Sequence, residues 1–108
     1  MPRKALEGLT ESMFYVLMAF NQKPMCGIDV AAFIDQKTKG QLQIGPATLY
    51  TILGKFESEK YIRETEVVGR KRTYHITKIG IAAYQTEIIR LRRCLEDAES
   101  ENSTEEKL

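Results

Sequence analysis

Two groups of side chains in this sequence have the residue types needed to bind a polyanion such as nucleic acid. The first is the basic run Arg70-Lys71-Arg72, which follows Gly69 between two segments of alternating polar and apolar residues. The second is an acid-free face of a predicted helix, made of hydroxylated and basic residues: Thr48, Tyr50, Thr51 and Lys55. Cations and hydroxyl groups bind phosphates, and hydroxyl groups also reach base edges. Both groups therefore predict contact with a nucleic acid.

Each group taken alone is more often part of an ordinary solvated surface. Three charges at a turn and a polar helix face are common on soluble proteins. Their order along the chain favours a joint role, because a carboxylate on such a face would be repelled by a phosphate backbone. The helix face comes directly before the basic turn, and acids reappear only at Glu57 and Glu59.

The remaining reactive residue types do not form a catalytic or metal-binding set. The sequence has one histidine, His75, and two cysteines, Cys26 and Cys94, without a Cys-x-x-Cys pair. It has no glycine-rich phosphate loop and no paired-carboxylate arrangement. We expect no enzymatic activity, no metal site and no cofactor, and two ordinary reduced thiols.

Net charge divides the chain into two segments. The 108 residues carry a formal net charge of +1, which by itself does not indicate a polyanionic partner. Residues 1–94 hold 15 Lys and Arg against 9 Asp and Glu, a net charge of +6, whereas residues 95–108 hold 1 Lys against 6 acids, a net charge of −5. The sequence predicts a basic folded domain followed by an acidic tail.

Three helices are predicted before the basic run. The first begins at the N-cap candidate Thr10 and is apolar on nearly every side. The second extends from Gly27 to Lys39 and is closed by Gly40. The third opens at Gly45-Pro46 and buries a stripe of apolar residues at helical spacing: Leu49, Ile52, Leu53 and Phe56.

Polar and apolar residues alternate in the segment between the second and third helices and again after the third helix. Gln41 to Ile44 is expected to form a very short strand, and the residues from Ile62 to Thr77 a β-hairpin with Arg70-Lys71-Arg72 at its tip. Thr77 can cap a final helix, whose apolar residues fall at heptad spacing: Ile81, Tyr84, Ile88, Leu91 and Leu95. A helix of about 24 residues is about 36 Å long, which exceeds what a domain of this size covers. This seam predicts a homodimer.

This order of elements is that of a winged helix-turn-helix, an α+β, mostly α fold with a two-stranded wing and a long C-terminal helix. We divide the chain into a DNA-binding domain at residues 1–77, a dimerisation helix at 78–98 and an acidic disordered tail at 99–108. In this fold the third helix enters the major groove of double-stranded DNA while the wing contacts the adjacent backbone.

The residues also resemble the PadR family of bacterial transcriptional regulators, in its smaller subfamily. The resemblance covers about residues 9–80 and includes Ala47-Thr48-Leu49-Tyr50, Tyr61-Ile62 and the run from Gly69 to Gly80. Its specific parts are Thr48-Leu49-Tyr50 and the run from Arg70 to Gly80, taken together. It implies a winged-helix dimer, usually a repressor, in which the last helix packs against the partner's N-terminal helix. The contact residues expected on that helix are Phe14 and Leu17.

Two positions depart from the family pattern. Cys26-Gly27-Ile28 stands where the family usually has His-Gly-Tyr, so a role of that aromatic residue is not carried over. Lys60 stands where the family has a glycine, which costs stability if the backbone there needs a positive φ.

Some functional alternatives stay open. A small apolar effector could enter between subunits beside Met13, Phe14, Leu17 and Met18, although such a stripe is more often core. The fold also serves as a protein-interaction module, which has no need of a basic wing. The longest apolar stretch, Met13 to Phe20, is too short for a membrane span, and we expect a cytoplasmic protein.

Overall fold

The computed structural model describes residues 8–106 of the chain, and the side chains of residues 8–102. Residues 1–7 of the predicted DNA-binding domain and residues 107–108 of the predicted tail lie outside this range. Four helices and one antiparallel sheet follow one another as α1 (Glu11–Gln22), β1 (Met25–Cys26), α2 (Gly27–Lys37), α3 (Pro46–Ser58), β2 (Ile62–Val68), β3 (Lys71–Ile76) and α4 (Lys78–Glu106). The strand order is β1-β3-β2, and β2 and β3 form the wing. The mostly helical winged helix-turn-helix fold is confirmed.

Helix α1 forms the centre of the core. The Thr10 side chain accepts a hydrogen bond of 3.1 Å from the Met13 N–H, which is the predicted N-cap. The apolar residues of α1 pack against α2, β3 and α4 and share one buried cluster with those of α3. The largest fully buried side chains of this cluster are Val16, Leu17, Phe20, Val30, Ile34, Leu53 and Phe56. The helix ends before Pro24, because the residue preceding a proline avoids the helical conformation.

Helices α2 and α3 end in the same hydrogen-bond pattern, a Schellman motif. At the end of α3 the Tyr61 N–H donates to the Phe56 carbonyl at 2.8 Å and the Lys60 N–H to the Glu57 carbonyl at 3.0 Å. This motif requires a left-handed residue, and that residue is Lys60, with φ of 64°. The expected positive φ at this position is therefore present.

The end of α2 differs from the prediction by two residues. The helix stops at Lys37 instead of Lys39, and Lys39 itself, with φ of 54°, holds the left-handed position of the motif. Gly40 comes one residue later, and its N–H donates to the Asp35 carbonyl at 2.8 Å.

The predicted short strand at Gln41 to Ile44 is wrong, because this segment is a loop. Its apolar residues Leu42 and Ile44 pack on the core without pairing, and the Leu42 N–H donates to Thr38 Oγ1 at 3.0 Å. The short strand lies instead before α2, where Met25 and Cys26 pair with Tyr74 and Thr73 of β3. The sheet therefore has three strands, of which two form the predicted wing.

A β-bulge at Thr65 changes which side chains share a face of the wing. Glu64 pairs with Tyr74, but the next pair is Glu66 with Thr73, so Thr65 is the extra residue. Opposite residues of an antiparallel pair lie on the same face, and neighbours along a strand lie on opposite faces. Glu64 therefore shares a face with Tyr74 and Arg72, whereas Glu66 lies on the other face.

Thr77 and Gly80 fasten the start of α4 to the end of α3. The Thr77 N–H donates to the Tyr61 carbonyl at 2.9 Å, and Thr77 Oγ1 donates to the Lys60 carbonyl at 2.6 Å. The same hydroxyl accepts from the Gly80 N–H at 3.1 Å, as the predicted N-cap should. A Cβ on Gly80 would lie 2.2 Å from the Tyr61 carbonyl oxygen, so this contact needs glycine.

Helix α4 is 29 residues long and continues to Glu106, past the point where the disordered tail was expected to begin. The prediction of disorder at 99–108 is therefore wrong for residues 99–106. It rested on the missing apolar periodicity, but a helix needs no apolar face when it continues an existing one and meets no glycine or proline. No helix in the described part of the chain combines the length and apolar character of a membrane span.

Candidate nucleic-acid interface

A groove of about 450 Å³ lies where the first turn of α2, the exposed face of α3, and the turn and strand β3 of the wing meet. Four of the predicted DNA-binding residues line it, namely Tyr50, Arg70, Lys71 and Arg72. The remaining lining residues come from α2, its preceding strand and β3: Cys26, Gly27, Ile28, Asp29 and Tyr74. The two residue groups that the sequence singled out are thus neighbours in space.

The other three predicted residues, Thr48, Thr51 and Lys55, are exposed on α3 outside the groove. Pro46 occupies the start of α3, and the buried stripe of this helix turns the acid-free face outward. The Thr51 hydroxyl donates to the Ala47 carbonyl at 2.9 Å, which leaves its lone pairs to accept.

Tyr50 lies on the surface and not in the core. Its side chain is 60% exposed. A Cβ added to Gly27 would lie 3.5 Å from Tyr50 Oη, so the ring extends over the first turn of α2. The phenol hydroxyl therefore sits at the groove between α2 and α3.

The wing cations differ in their surroundings. Arg72 Nη1 donates to Glu64 Oε2 at 3.2 Å across the hairpin, and the Arg72 cation also lies near Tyr74. Burial and, to a smaller extent, the Glu57 and Glu64 carboxylates raise the pKa of Tyr74, while Arg72 opposes that rise. Arg70 and Lys71 are exposed at the turn.

Sequence reasoning missed the contribution of α2 to this groove. Ile28 is 78% exposed, an unusual position for isoleucine, and Asp29 brings a carboxylate that accepts from Cys26 Sγ at 3.2 Å. The departure from the family pattern at residues 26–28 was the available signal. The described residues contain no cluster of three metal-ligating side chains, and both Cys26 and Cys94 are free thiols.

The residues predicted to form a dimer contact divide into three groups. Leu17 is fully buried within its own chain, which makes it a core residue and corrects its assignment to the contact. Phe14, Ile81, Tyr84 and Ile88 are half-buried, and the Phe14 and Tyr84 rings stack with centroids 5.3 Å apart. Leu91 and Leu95 are exposed, Leu95 at 59%.

Helix α4 carries a buried carboxylate at Glu87. Glu87 is only 4% exposed, and it accepts hydrogen bonds from Arg90 Nε at 3.0 Å and from Arg90 Nη2. The hydrogen bond from Arg90, its charge and a backbone hydrogen bond from Leu9 lower the pKa of Glu87 despite its burial. This carboxylate is structural and lies outside the groove.

A three-helix body with a basic two-stranded wing defines the class of winged helix-turn-helix regulators. Residues 16–86 match the model of the transcriptional regulator PadR-like family, and this chain belongs to that family. The family consists of DNA-binding regulators and not of enzymes. No curated protein matches the sequence significantly.

Solved structures of regulators share the fold. A transcriptional regulator from Clostridium thermocellum has a TM-score of 0.74 at 22% sequence identity, over 82% of this chain and 89% of that chain. A PadR family transcription regulator from Clostridium difficile R20291 has a TM-score of 0.73 at 14% identity, over 84% and 97%. RosR of H. salinarum has a TM-score of 0.70 at 14% identity, over 93% and 98%.

Proposed function

We propose that this chain is a dimeric transcriptional repressor that binds a pseudo-palindromic promoter site through α3 and the wing. The observation that carries the proposal is the joint groove, in which Tyr50 of α3 and three wing cations line one surface beside an exposed, acid-free helix face. Base edges are read by a helix in the major groove, while wing cations bind the adjacent phosphates.

The dimer rests on α4 and α1. Phe14, Tyr84, Ile88, Leu91 and Leu95 form an apolar face that the chain's own core covers only in part. A second copy that packs its α1 and α4 on this face buries it. Two-fold symmetry then requires half-sites about 34 to 36 Å apart, or a multiple of this distance.

A small apolar effector is part of the proposal, at the contact between subunits. Met13 and Leu17 belong to the core of one chain, which leaves the half-buried Phe14 and Met18 as the adaptable surface of α1. An effector bound there changes the spacing of the two α3 helices and releases DNA. We place this regulator in the cytoplasm, where its promoter lies.

Fluorescence anisotropy with two duplexes tests the function. We expect the chain to bind the DNA upstream of its own gene about a thousandfold or more tighter than a random duplex of equal length. Equal affinity for both duplexes contradicts a sequence-specific regulator. Absence of binding to either duplex favours the second candidate, a protein-interaction module, for which the exposed Ile28 beside the groove is the supporting observation.

A further inference from the structure

One of the three wing cations that line the groove, Arg72, is paired with an acid that lies beside the groove, Glu64. Arg72 is 63% exposed and Glu64 is 32% exposed, and a single contact of 3.2 Å joins Nη1 to Oε2. An exposed pair held by one contact is weak, so its partners exchange readily. A phosphate that approaches Arg72 meets the Glu64 carboxylate at the same place.

The bulge at Thr65 determines that this acid is Glu64 and not Glu66. Glu64 pairs with Tyr74, on the face that carries Arg72, whereas Glu66 pairs with Thr73 on the opposite face. Among the described residues Glu66 has no ion-pair partner. The two carboxylates therefore differ in their access to Arg72, because Glu66 lies on the face of Thr73 and Lys71.

We propose that Glu64 is an internal competitor for the DNA backbone. In the free protein its carboxylate holds the Arg72 guanidinium, and in the complex a phosphate replaces it, so Glu64 lowers the affinity for DNA. Because phosphate contacts carry no sequence information, the effect is the same on specific and random DNA. The inference rests on the DNA binding proposed above and names the residue that tunes it.

The alternative to competition is that Glu64 positions Arg72 for DNA binding. Glu64 and Tyr74 together could hold Arg72 in the geometry that a phosphate needs, and removal of the carboxylate would then weaken binding. The single contact between these exposed side chains fixes the guanidinium only weakly, and a bound phosphate lies close to the like charge of Glu64 in either case. These two facts favour competition.

A double-mutant cycle on both duplexes tests the proposal by fluorescence anisotropy at several salt concentrations. We expect Glu64→Gln to bind both duplexes about threefold tighter than the wild type. The slope of log affinity against log salt should become steeper by up to about 0.9, the value of one phosphate contact. Glu66→Gln is the matched control, and its gain in DNA affinity should be clearly smaller.

The dependence on Arg72 separates competition from a general charge effect. In the Arg72→Gln background, Glu64→Gln should raise the affinity for DNA no more than Glu66→Gln does. Weaker binding by Glu64→Gln, or a gain that persists without Arg72, overturns the proposal while DNA binding by the wild type stands. A wild type that binds neither duplex overturns both this inference and the proposed function. Thermal unfolding of each variant checks that the fold is intact.

Discussion

At the scale of single residues, Lys60 holds a backbone conformation that suits glycine. Its φ of 64° completes the Schellman motif at the end of α3, where a residue with a Cβ is strained by roughly 1 kcal/mol or more. We expect Lys60→Gly to raise the free energy of unfolding by about 0.5 to 1 kcal/mol, since glycine loses part of the gain through the entropy of the unfolded chain. Urea denaturation measures the change. Lys60→Ala is the control, because it removes the charge but keeps the Cβ, and an equal gain from alanine would contradict the explanation.

At the scale of elements, the joint between α3 and α4 depends on Gly80. A Cβ there would lie 2.2 Å from the Tyr61 carbonyl oxygen and 2.8 Å from Ile76 Cγ1, so α4 must shift away from the wing. We expect Gly80→Ala to lower the free energy of unfolding by about 3 kcal/mol. Gly54→Ala within α3 is the matched control, because nothing lies within 4 Å of a Cβ there. This substitution should raise the free energy of unfolding by up to about 1 kcal/mol. Similar effects of both substitutions in chemical denaturation would refute this account of the joint.

The elements also show what the sequence could and could not predict. The wing and the buried stripe of α3 have clear periods, and both are present as predicted. Strand β1 has only two residues, too few for any period, and its partner Tyr74 lies far along the chain. The bulge at Thr65 left no mark in the alternation, so the faces of Glu64 and Glu66 could be assigned only from the register. A uniformly apolar α1 likewise gave no sign that Leu17 is core and not contact.

At the scale of the whole molecule, the proposed dimer rests on the apolar seam of α4. Leu91 and Leu95 extend the heptad seam beyond the part of α4 that packs on α1, and both are exposed. We expect light scattering to give a dimer at micromolar concentration, and Leu95→Glu to shift it towards monomer because a charge would be buried in the seam. Thr86→Glu adds the same charge to the same helix outside the seam and should leave the dimer intact. A monomeric wild type would contradict the dimer.

The wing gives the most direct test of the central claim that this molecule binds the DNA backbone with the groove between α2, α3 and the hairpin. The measurement is the salt dependence of affinity for the upstream duplex, compared between the wild type and Lys71→Gln. We predict that the magnitude of the slope of log affinity against log salt falls by about 0.9 in Lys71→Gln, because one phosphate contact is lost. Lys37→Gln, at the far end of α2 from the groove, should leave the slope unchanged. An unchanged slope in Lys71→Gln, or an equal fall in Lys37→Gln, would contradict the claim.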